Sequence, residues 1–258
     1  MHKYIDAHCH LQNAPIPTTA IDTAHRAGVM EFICNSGAPD DWNAILKLHD
    51  AYPSVHACIG VHPWHVSDVG PDWQTRMENI LAAAPDIMVG EVGLDKHYPS
   101  VTTQVAVFNT QLDIACEFAR VAHIHCVGAW DTLVHIFKTR TMRRMPPAIV
   151  LHAFSGPINI IEKLANEYNG YFSFSPMIMD VRHRRMRHAL CHIPMDRILA
   201  ESDSDNSSVI PDTVNTISEI KSVASDKMAD IIYHNTTVVM KQNGQITPNT
   251  NAGWGWGD

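Results

Sequence analysis

The residues best equipped for chemistry gather first in Tyr4 to Leu11, which reads Tyr-Ile-Asp-Ala-His-Cys-His-Leu. Alternate residues of a strand share a face, so a strand here turns Asp6, His8 and His10 one way and Ile5, Ala7 and Cys9 the other. Two neutral imidazoles side by side are a ready pair of metal ligands. Taken alone, the motif fits a half-buried strand with two hydrogen-bonded histidines equally well. Four further residues join the candidates: Glu91, His125, His152 and Asp203. The other histidines, His2, His25, His49 and His135 among them, exceed any metal requirement in a chain with 17 of them.

Short apolar, β-branched runs alternate with longer helical patterns along the whole chain, the signature of βα units and a parallel sheet. The expected strands are Tyr4 to His10, Val29 to Asn35, Val55 to Val61, Ile87 to Val92, Val121 to His125, Ala148 to Ala153, Tyr171 to Ser175 and Arg197 to Asp203. Eight strands close a barrel, and 258 residues suit an α/β fold of the (β/α)8 TIM-barrel type. Between them, Val105, Phe108, Leu112, Ala115 and Ala119 form one inward helical stripe, and Trp130, Leu133, Val134 and Phe137 another. Pro146-Pro147 and Asn169-Gly170 punctuate the way into the sixth and seventh strands. A last helix, Asp226 to Lys241, turns Met228, Ile231, Ile232 and Val239 inward, and Asn235 interrupts that face to tie the helix to a barrel loop. One domain over 1–242 is expected, with 243–258, including Trp254 and Trp256, as a disordered or loosely draped tail.

In this frame His8, His10, Glu91, His125, His152 and Asp203 all fall at the C-terminal strand ends, where barrel active sites sit. Four imidazoles and two carboxylates make a two-metal inventory, with Glu91 able to bridge. The motifs Ile-Asp-Ala-His-Cys-His-Leu (5–11), Gly-Val-His-Pro-Trp-His (60–65), Gly-Glu-Val-Gly-Leu-Asp (90–95), Ile-His (124–125), His-Ala-Phe-Ser-Gly (152–156) and Glu-Ser-Asp (201–203) resemble, in order, those of the TatD family of metal-dependent hydrolases in the amidohydrolase-like superfamily. The resemblance implies His8, His10 and Asp203 around one ion, His125 and His152 around a second, and Glu91 between them. It also implies a deoxyribonuclease-type activity. Trp64 replaces a histidine often seen in the family, and His125 is followed by Cys126-Val127-Gly128 where many members carry an arginine. Lys96 lies in a loop and is a poor candidate for the carbamylated bridge of other barrel hydrolases.

The expected chemistry is attack by a metal-activated water on a phosphodiester, with Asp203 and Glu91 as the catalytic carboxylates and His62, Trp64 and His65 lining the substrate site. Zinc, manganese or iron suits so many imidazoles better than magnesium, although magnesium stays possible. Single-stranded DNA or a small phosphodiester is the expected substrate. Two alternatives stay open: a hydrolase of a small amide, lactone or phosphoester, and a non-catalytic barrel that binds metal or a partner. The net charge of −8 excludes coating nucleic acid by bulk electrostatics but leaves room for a local phosphate site. Arg182, Arg184, Arg185 and Arg187 form a basic run, either a solvated helix face or a positive rim. Trp73 reads as packing. Asp6 reads as a structural acceptor, and Glu201 as a support to the ligands. No signal peptide or membrane span is evident, and six cysteines without C-x-x-C spacing suggest reduced thiols in a cytoplasmic protein. The chain is expected as a monomer or homodimer.

Overall fold

A computed structural model describes residues 2–140 and 145–245. Eight parallel strands form one sheet in chain order: β1 (Tyr4–Cys9), β2 (Val29–Asn35), β3 (Val55–Ile59), β4 (Met88–Asp95), β5 (Ala122–Val127), β6 (Ile149–Leu151), β7 (Gly170–Phe174) and β8 (Ile198–Ala200). Seven neighbouring pairs form ladders. The seam between β8 and β1 is joined just beyond the strands, where Asp203 N–H donates to the His8 carbonyl and His10 N–H to the Ser204 carbonyl. The helices α1 (Pro17–Arg26), α2 (Trp42–Ala51), α3 (Trp73–Ala83), α4 (Val101–Glu117), α5 (Trp130–Thr139), α6 (Ile161–Glu167), α7 (Arg184–His192), α8 (Ile210–Lys221) and α9 (Ser225–Gln242) follow in order. The fold is the (β/α)8 barrel that the alternation of patterns predicts.

Strand alternation divides the core in two. One parity of β-residues, including Phe32, Ile59, Val92, Ile124 and Phe172, packs outward against Trp42, Phe108, Leu133 and Phe137 of the helices. The other parity fills the barrel with Ala7, Ile33, Cys58, Met88, Val150, Tyr171 and Leu199, joined from α9 by Val239. Two residues further along four of the strands, the interior changes character: Ile33 gives way to Asn35, Val121 to His123, Tyr171 to Ser173 and Leu199 to Glu201, all buried. Another step reaches the C-terminal mouth. A dry floor and a polar middle layer follow from the period of two in those strands, whereas β1 and β4, which carry His8 and Glu91, break the register between Asp6 and Cys9 and between Val89 and Val92.

Several expected details differ. The helical stripe through Ala119 stops short, because α4 ends at Glu117 and Ala119 takes a left-handed turn at φ 53°. The inward face of α4 instead includes two glutamines, Gln104 and Gln111. In α5 the buried positions are Leu133, Ile136 and Phe137, whereas Val134 is half-buried. Asn235 of α9 donates to the carbonyls of Met195 and Ile198 at 2.8 and 2.9 Å, tying that helix to the segment that enters β8. At the start of the expected tail, Asn243 Nδ2 donates to the Asp86 carbonyl while its Oδ1 accepts from Val121 N–H. Residues 246–258, with Trp254 and Trp256, lie outside the described residues.

Candidate metal centre

Three of the six predicted ligands, His8, Glu91 and His125, sit within strands, and the other three stand just past strand ends. His10 follows β1, whose pairing with β2 is irregular between Asp6 and Cys9. His152 and Asp203 follow the short strands β6 and β8, shorter than the sequence suggests because the chain leaves the ladder in left-handed turns at Ala153 (φ 43°) and Asp203 (φ 51°). Such conformations cost energy for residues other than glycine and persist where surrounding contacts hold them. Here Ala153 N–H is held by Glu201 Oε1 at 2.7 Å, and Asp203 N–H by His8. The Gly-Glu-Val-Gly motif is steric in origin. A Cβ on Gly90 would lie 2.5 Å from Asn35 Oδ1 and 2.7 Å from His123 Cβ, and one on Gly93 would lie 1.9 Å from the His125 carbonyl oxygen.

Glu91 is the centre of the arrangement, and its two oxygens face different histidines. Oε2 lies 3.2 Å from His8 Nε2 and 3.6 Å from His10 Nε2. Oε1 lies 2.7 Å from His152 Nε2, 3.0 Å from His125 Nδ1 and 3.2 Å from His62 Nε2. Asp203 Oδ1 sits with the first group, 3.5 Å from His10 Nε2 and 4.0 Å from His8 Nε2. All six predicted ligands and His62 thus converge. Three overlapping triads, His8/His10/Glu91, His8/His152/Asp203 and His62/Glu91/His125, each present donor atoms within 4.8 Å of one another.

These spacings fit a metal. Bonds of about 2.0–2.2 Å meeting near 90–110° put neighbouring ligand atoms about 3 to 3.5 Å apart. The hydrogen bonds at the far side of each ring then decide which histidines can ligate. His10 Nδ1 lies 2.9 Å from the Asn35 carbonyl, which can only accept, so Nδ1 carries the hydrogen and Nε2 is left with a lone pair toward Glu91 and Asp203. His62 is the reverse case. Its Nδ1 accepts the backbone N–H of Trp64 at 3.2 Å, so in the neutral ring Nε2 carries the hydrogen and offers no lone pair to a cation. Burial holds His62 below its ordinary value, which favours that neutral ring. Within the third triad, His62 is therefore a hydrogen-bond donor aimed into the site.

The electrostatics demand positive charge. Burial works against the ionised Glu91 carboxylate, but the charge of His152 and hydrogen bonds from the neighbouring imidazoles hold it well below the usual carboxylate range. Burial also works against a charged His10, yet Asp203 and Glu91 outweigh it and raise the ring to about 9. His152 is raised in the same way, burial being overcome by Glu91 and the Glu201 and Asp203 carboxylates. Metal-free, the carboxylates draw protons onto His10 and His152; cations would take those protons' place.

A ring of supporting contacts holds the first layer. Asp6 is fully buried and its Oδ1 accepts Ser202 N–H at 2.9 Å and His8 N–H at 3.3 Å, the acceptor role its position suggests; burial raises its carboxyl to about 7. Glu201, also fully buried, accepts from Ser173 Oγ as well as Ala153. Asp95 Oδ2 stands 3.7 Å behind His125 Nε2 and accepts the Trp64 indole N–H at 2.9 Å. Asp95 closes the 90–95 motif without a role assigned from sequence, and Gln104 and Gln111 drew none. Gln104 bonds both the N–H (2.9 Å) and the carbonyl (3.0 Å) of Asp95, and Gln111 does the same for Val61 at 2.7 and 3.1 Å, so each amide mimics a missing strand neighbour beside the site. Their signal was there: two glutamines seven apart on an apolar helical stripe.

Of the expected substrate residues, His62 enters the cluster and Trp64 borders it, with ring centroids 4.7 Å from His62 and 6.3 Å from His125. His65 stands outside, 6.4 Å from the His62 ring, lining a separate cavity of about 250 Å³ with Asp68, Trp73 and Arg76. Trp73 packs on the core from there. Lys96 is exposed, in the segment that follows β4. In the basic run, Arg182 pairs with Asp180 and Arg187 donates to the Ile178 carbonyl, while Arg184 and Arg185 are exposed at the start of α7.

A family model described as TatD related DNase matches residues 5–241. The chain is 26% identical to the Cut9-interacting protein scn1 of Schizosaccharomyces pombe, over 93% of this chain and 99% of that protein. It is 27% identical to a 3'-5' ssDNA/RNA exonuclease TatD of Erwinia tasmaniensis over 71% of each. Among solved structures, YjjV, a TatD homologue from Escherichia coli K12, superposes with a TM-score of 0.84 at 21% identity, covering 92% of this chain and 97% of that one.

Proposed function

The chain belongs to the TatD-related DNase family, and from that premise we propose that it is a two-metal hydrolase of phosphodiester bonds in single-stranded nucleic acid. The observation that carries the proposal is the division at Glu91, whose one oxygen faces His8 and His10 while the other faces His125 and His152. A carboxylate that met a single ion would not need donors on both sides. In this reading His8, His10 and Asp203 would hold one cation and His125 and His152 a second, with Glu91 between the two groups. Zinc, manganese or iron is favoured over magnesium by the share of imidazole nitrogen in that set.

Bound divalent ions supply Lewis acidity, lowering the pKa of water and drawing charge from a phosphoryl oxygen. The protein's own groups do the rest. Asp203, partly exposed at the mouth with a side-chain accessibility of 31%, is placed to orient an attacking water and receive its proton. His62 donates Nε2–H to a phosphoryl oxygen as charge builds there, and the Trp64 N–H behind it keeps the ring in the donating tautomer. Glu91, clamped among imidazoles, stays ionised. No side chain need form a covalent intermediate. The six free cysteines favour a reducing compartment such as the cytoplasm, and no helix among the described residues is long and apolar enough to cross a membrane.

The test pairs metal analysis with turnover. The protein loaded with manganese or zinc should bind two ions per chain and cleave single-stranded DNA and a chromogenic phosphodiester, leaving lactone and amide substrates untouched. Glu91→Gln should bind at most one ion and lose at least about 100-fold in kcat/KM, and His152→Ala should behave alike. Full occupancy and activity in Glu91→Gln would remove the bridge and the proposal with it.

A further inference from the structure

Exposed large apolar side chains are concentrated on the catalytic face. Ile16, Trp64, Tyr98, Val101, Val127, Ile158, Met177, Met179 and Val181 all lie in or beside the segments that follow C-terminal strand ends, and Met30 is the exception among those described. Two of them differ from the rest in being flat, paired and held. Trp64 and Tyr98, 47% and 39% exposed, stack with ring centroids 4.7 Å apart and an interplanar angle of 15°. They come from different segments, one after β3 and one after β4.

The Trp64 ring and the Tyr98 backbone are held from beneath. The Trp64 indole N–H donates to Asp95 Oδ2 at 2.9 Å, while Asp95 Oδ1 accepts His97 N–H. Gln104, which clamps Asp95, also reaches the carbonyls of Tyr98 and Pro99 at 3.3 and 3.1 Å. A pair of aromatic rings serving only as packing would be turned inward. This pair is held at the surface instead, the indole N–H spent on Asp95 while both residues stay exposed. At its inner edge Trp64 meets His62 edge-on, at 87°, and His62 touches Glu91.

Resting on the reading of the centre as a phosphodiesterase, we infer that Trp64 and Tyr98 form a stacking platform for a nucleobase of the strand whose phosphate is held at Glu91 and His62. A base joins the aromatic stack while its neighbouring phosphate enters the site. Stacking tolerates any base, since each presents a π-face. A base inside a duplex already has both faces covered, so the platform also selects for single strands. Asp95 joins this platform to His125, because the same carboxylate that holds the indole stands behind that ring.

The experiment uses the metal-loaded protein and a set of single-stranded oligonucleotides, each with one abasic residue placed at a successive position around the cleaved bond. In the wild type, one position should lower kcat/KM by about 5- to 150-fold relative to the full base. That ratio should fall to near one in Trp64→Ala and in Tyr98→Ala, and be largely kept in Trp64→Phe, which preserves a ring. Tyr98→Ala guards against misfolding, since the Tyr98 ring is exposed and its bonds to Gln104 use the backbone. A turnover-free readout accompanies it: quenching of tryptophan fluorescence by deoxyadenosine monophosphate beyond that by deoxyribose 5-phosphate, lost in Trp64→Phe. Wild-type insensitivity to abasic residues at every position, or an unchanged ratio in both alanine variants, overturns the platform. Should no phosphodiester be cleaved at all, the parent reading falls, and base-dependent quenching still decides whether the platform exists.

Discussion

Removing metal should give a barrel that loses stability as pH rises from about 6.5 to 9, a loss the metal-loaded protein should not share. His10 carries the main contribution. Its ordinary value of 6.5 rises to about 9 in the fold, burial being outweighed by Asp203, Glu91 and the Asn35 carbonyl. A raised folded pKa stabilises fully below the unfolded value and not at all above the folded one, so the benefit is present at pH 6 and gone above about 9. At about 1.4 kcal/mol per pH unit, that interval is on the order of 3 kcal/mol. For a chain of this length it corresponds to roughly 6 to 12 °C in Tm. His152, also raised, adds in the same direction. The carboxylates work at the other end: Glu91 and Asp203 are both lowered, burial overcome by the histidines, so their contribution is lost below about pH 4.5. Metal-free protein should therefore be more stable at pH 6.5 than at pH 9, and because burial holds His8, His62 and His123 below their ordinary value, those rings remove stability below about pH 6.5. Metal binding requires these rings to release their protons, so its stabilisation grows with pH. Scanning calorimetry of chelator-treated and manganese- or zinc-reloaded protein from pH 6 to 9 should show a widening gap in Tm. His10→Asn should flatten the metal-free slope. A metal-free Tm that stays level or climbs between pH 6.5 and 9, or a gap that does not change, would refute the assignment of His10 to a charged, cation-seeking pocket.

Two further outcomes follow from side chains outside the six ligands. His62→Ala should keep two ions per chain by elemental analysis while kcat falls about 100-fold, the usual cost of losing a donor to a developing oxyanion; a parallel loss of metal would make His62 a ligand instead. Replacing the exposed Arg184 and Arg185 with glutamine should reduce the salt dependence of single-stranded DNA binding by about 0.7 in log–log slope for each phosphate they neutralise, and an unchanged slope would return them to a solvated helix face.

Most of the architecture is legible from periodicity, because a parallel barrel buries both faces of its strands and repeats one unit eight times. β4, buried at every residue from Met88 to Asp95, is the plainest case. What periodicity misreads is where regular structure stops. The stripe over α4 continues on paper to Ala119, but Ala119 adopts a left-handed turn, and Arg120 N–H bonds back to the Ala115 carbonyl. Likewise β6 and β8 stop at Leu151 and Ala200, just before the left-handed turns at Ala153 and Asp203. Hydrophobic pattern carries no trace of such turns. They depend on a distant partner, Glu201 for Ala153 and His8 for Asp203.

The candidate ligands were legible for a different reason: residue type and strand-end position together limit which side chains can meet. Their division of labour was not. His10 and His62 are both histidines at the barrel mouth, both within 3.6 Å of Glu91, and the sequence separates them, as ligand and as substrate-lining residue, without showing which ring nitrogen carries the hydrogen. A single backbone group separates them. A carbonyl behind His10 draws the ring hydrogen away from the centre and exposes a lone pair, whereas an amide N–H behind His62 pushes the hydrogen into the centre and makes a donor. The second arrangement depends on the turn His62-Pro63-Trp64, in which Pro63 starts a short 3-10 helix and brings the Trp64 N–H back onto the imidazole. The same turn sets the Trp64 indole beside Tyr98 and over Asp95, so one local conformation links the proton position on His62 to the aromatic face at the edge of the site.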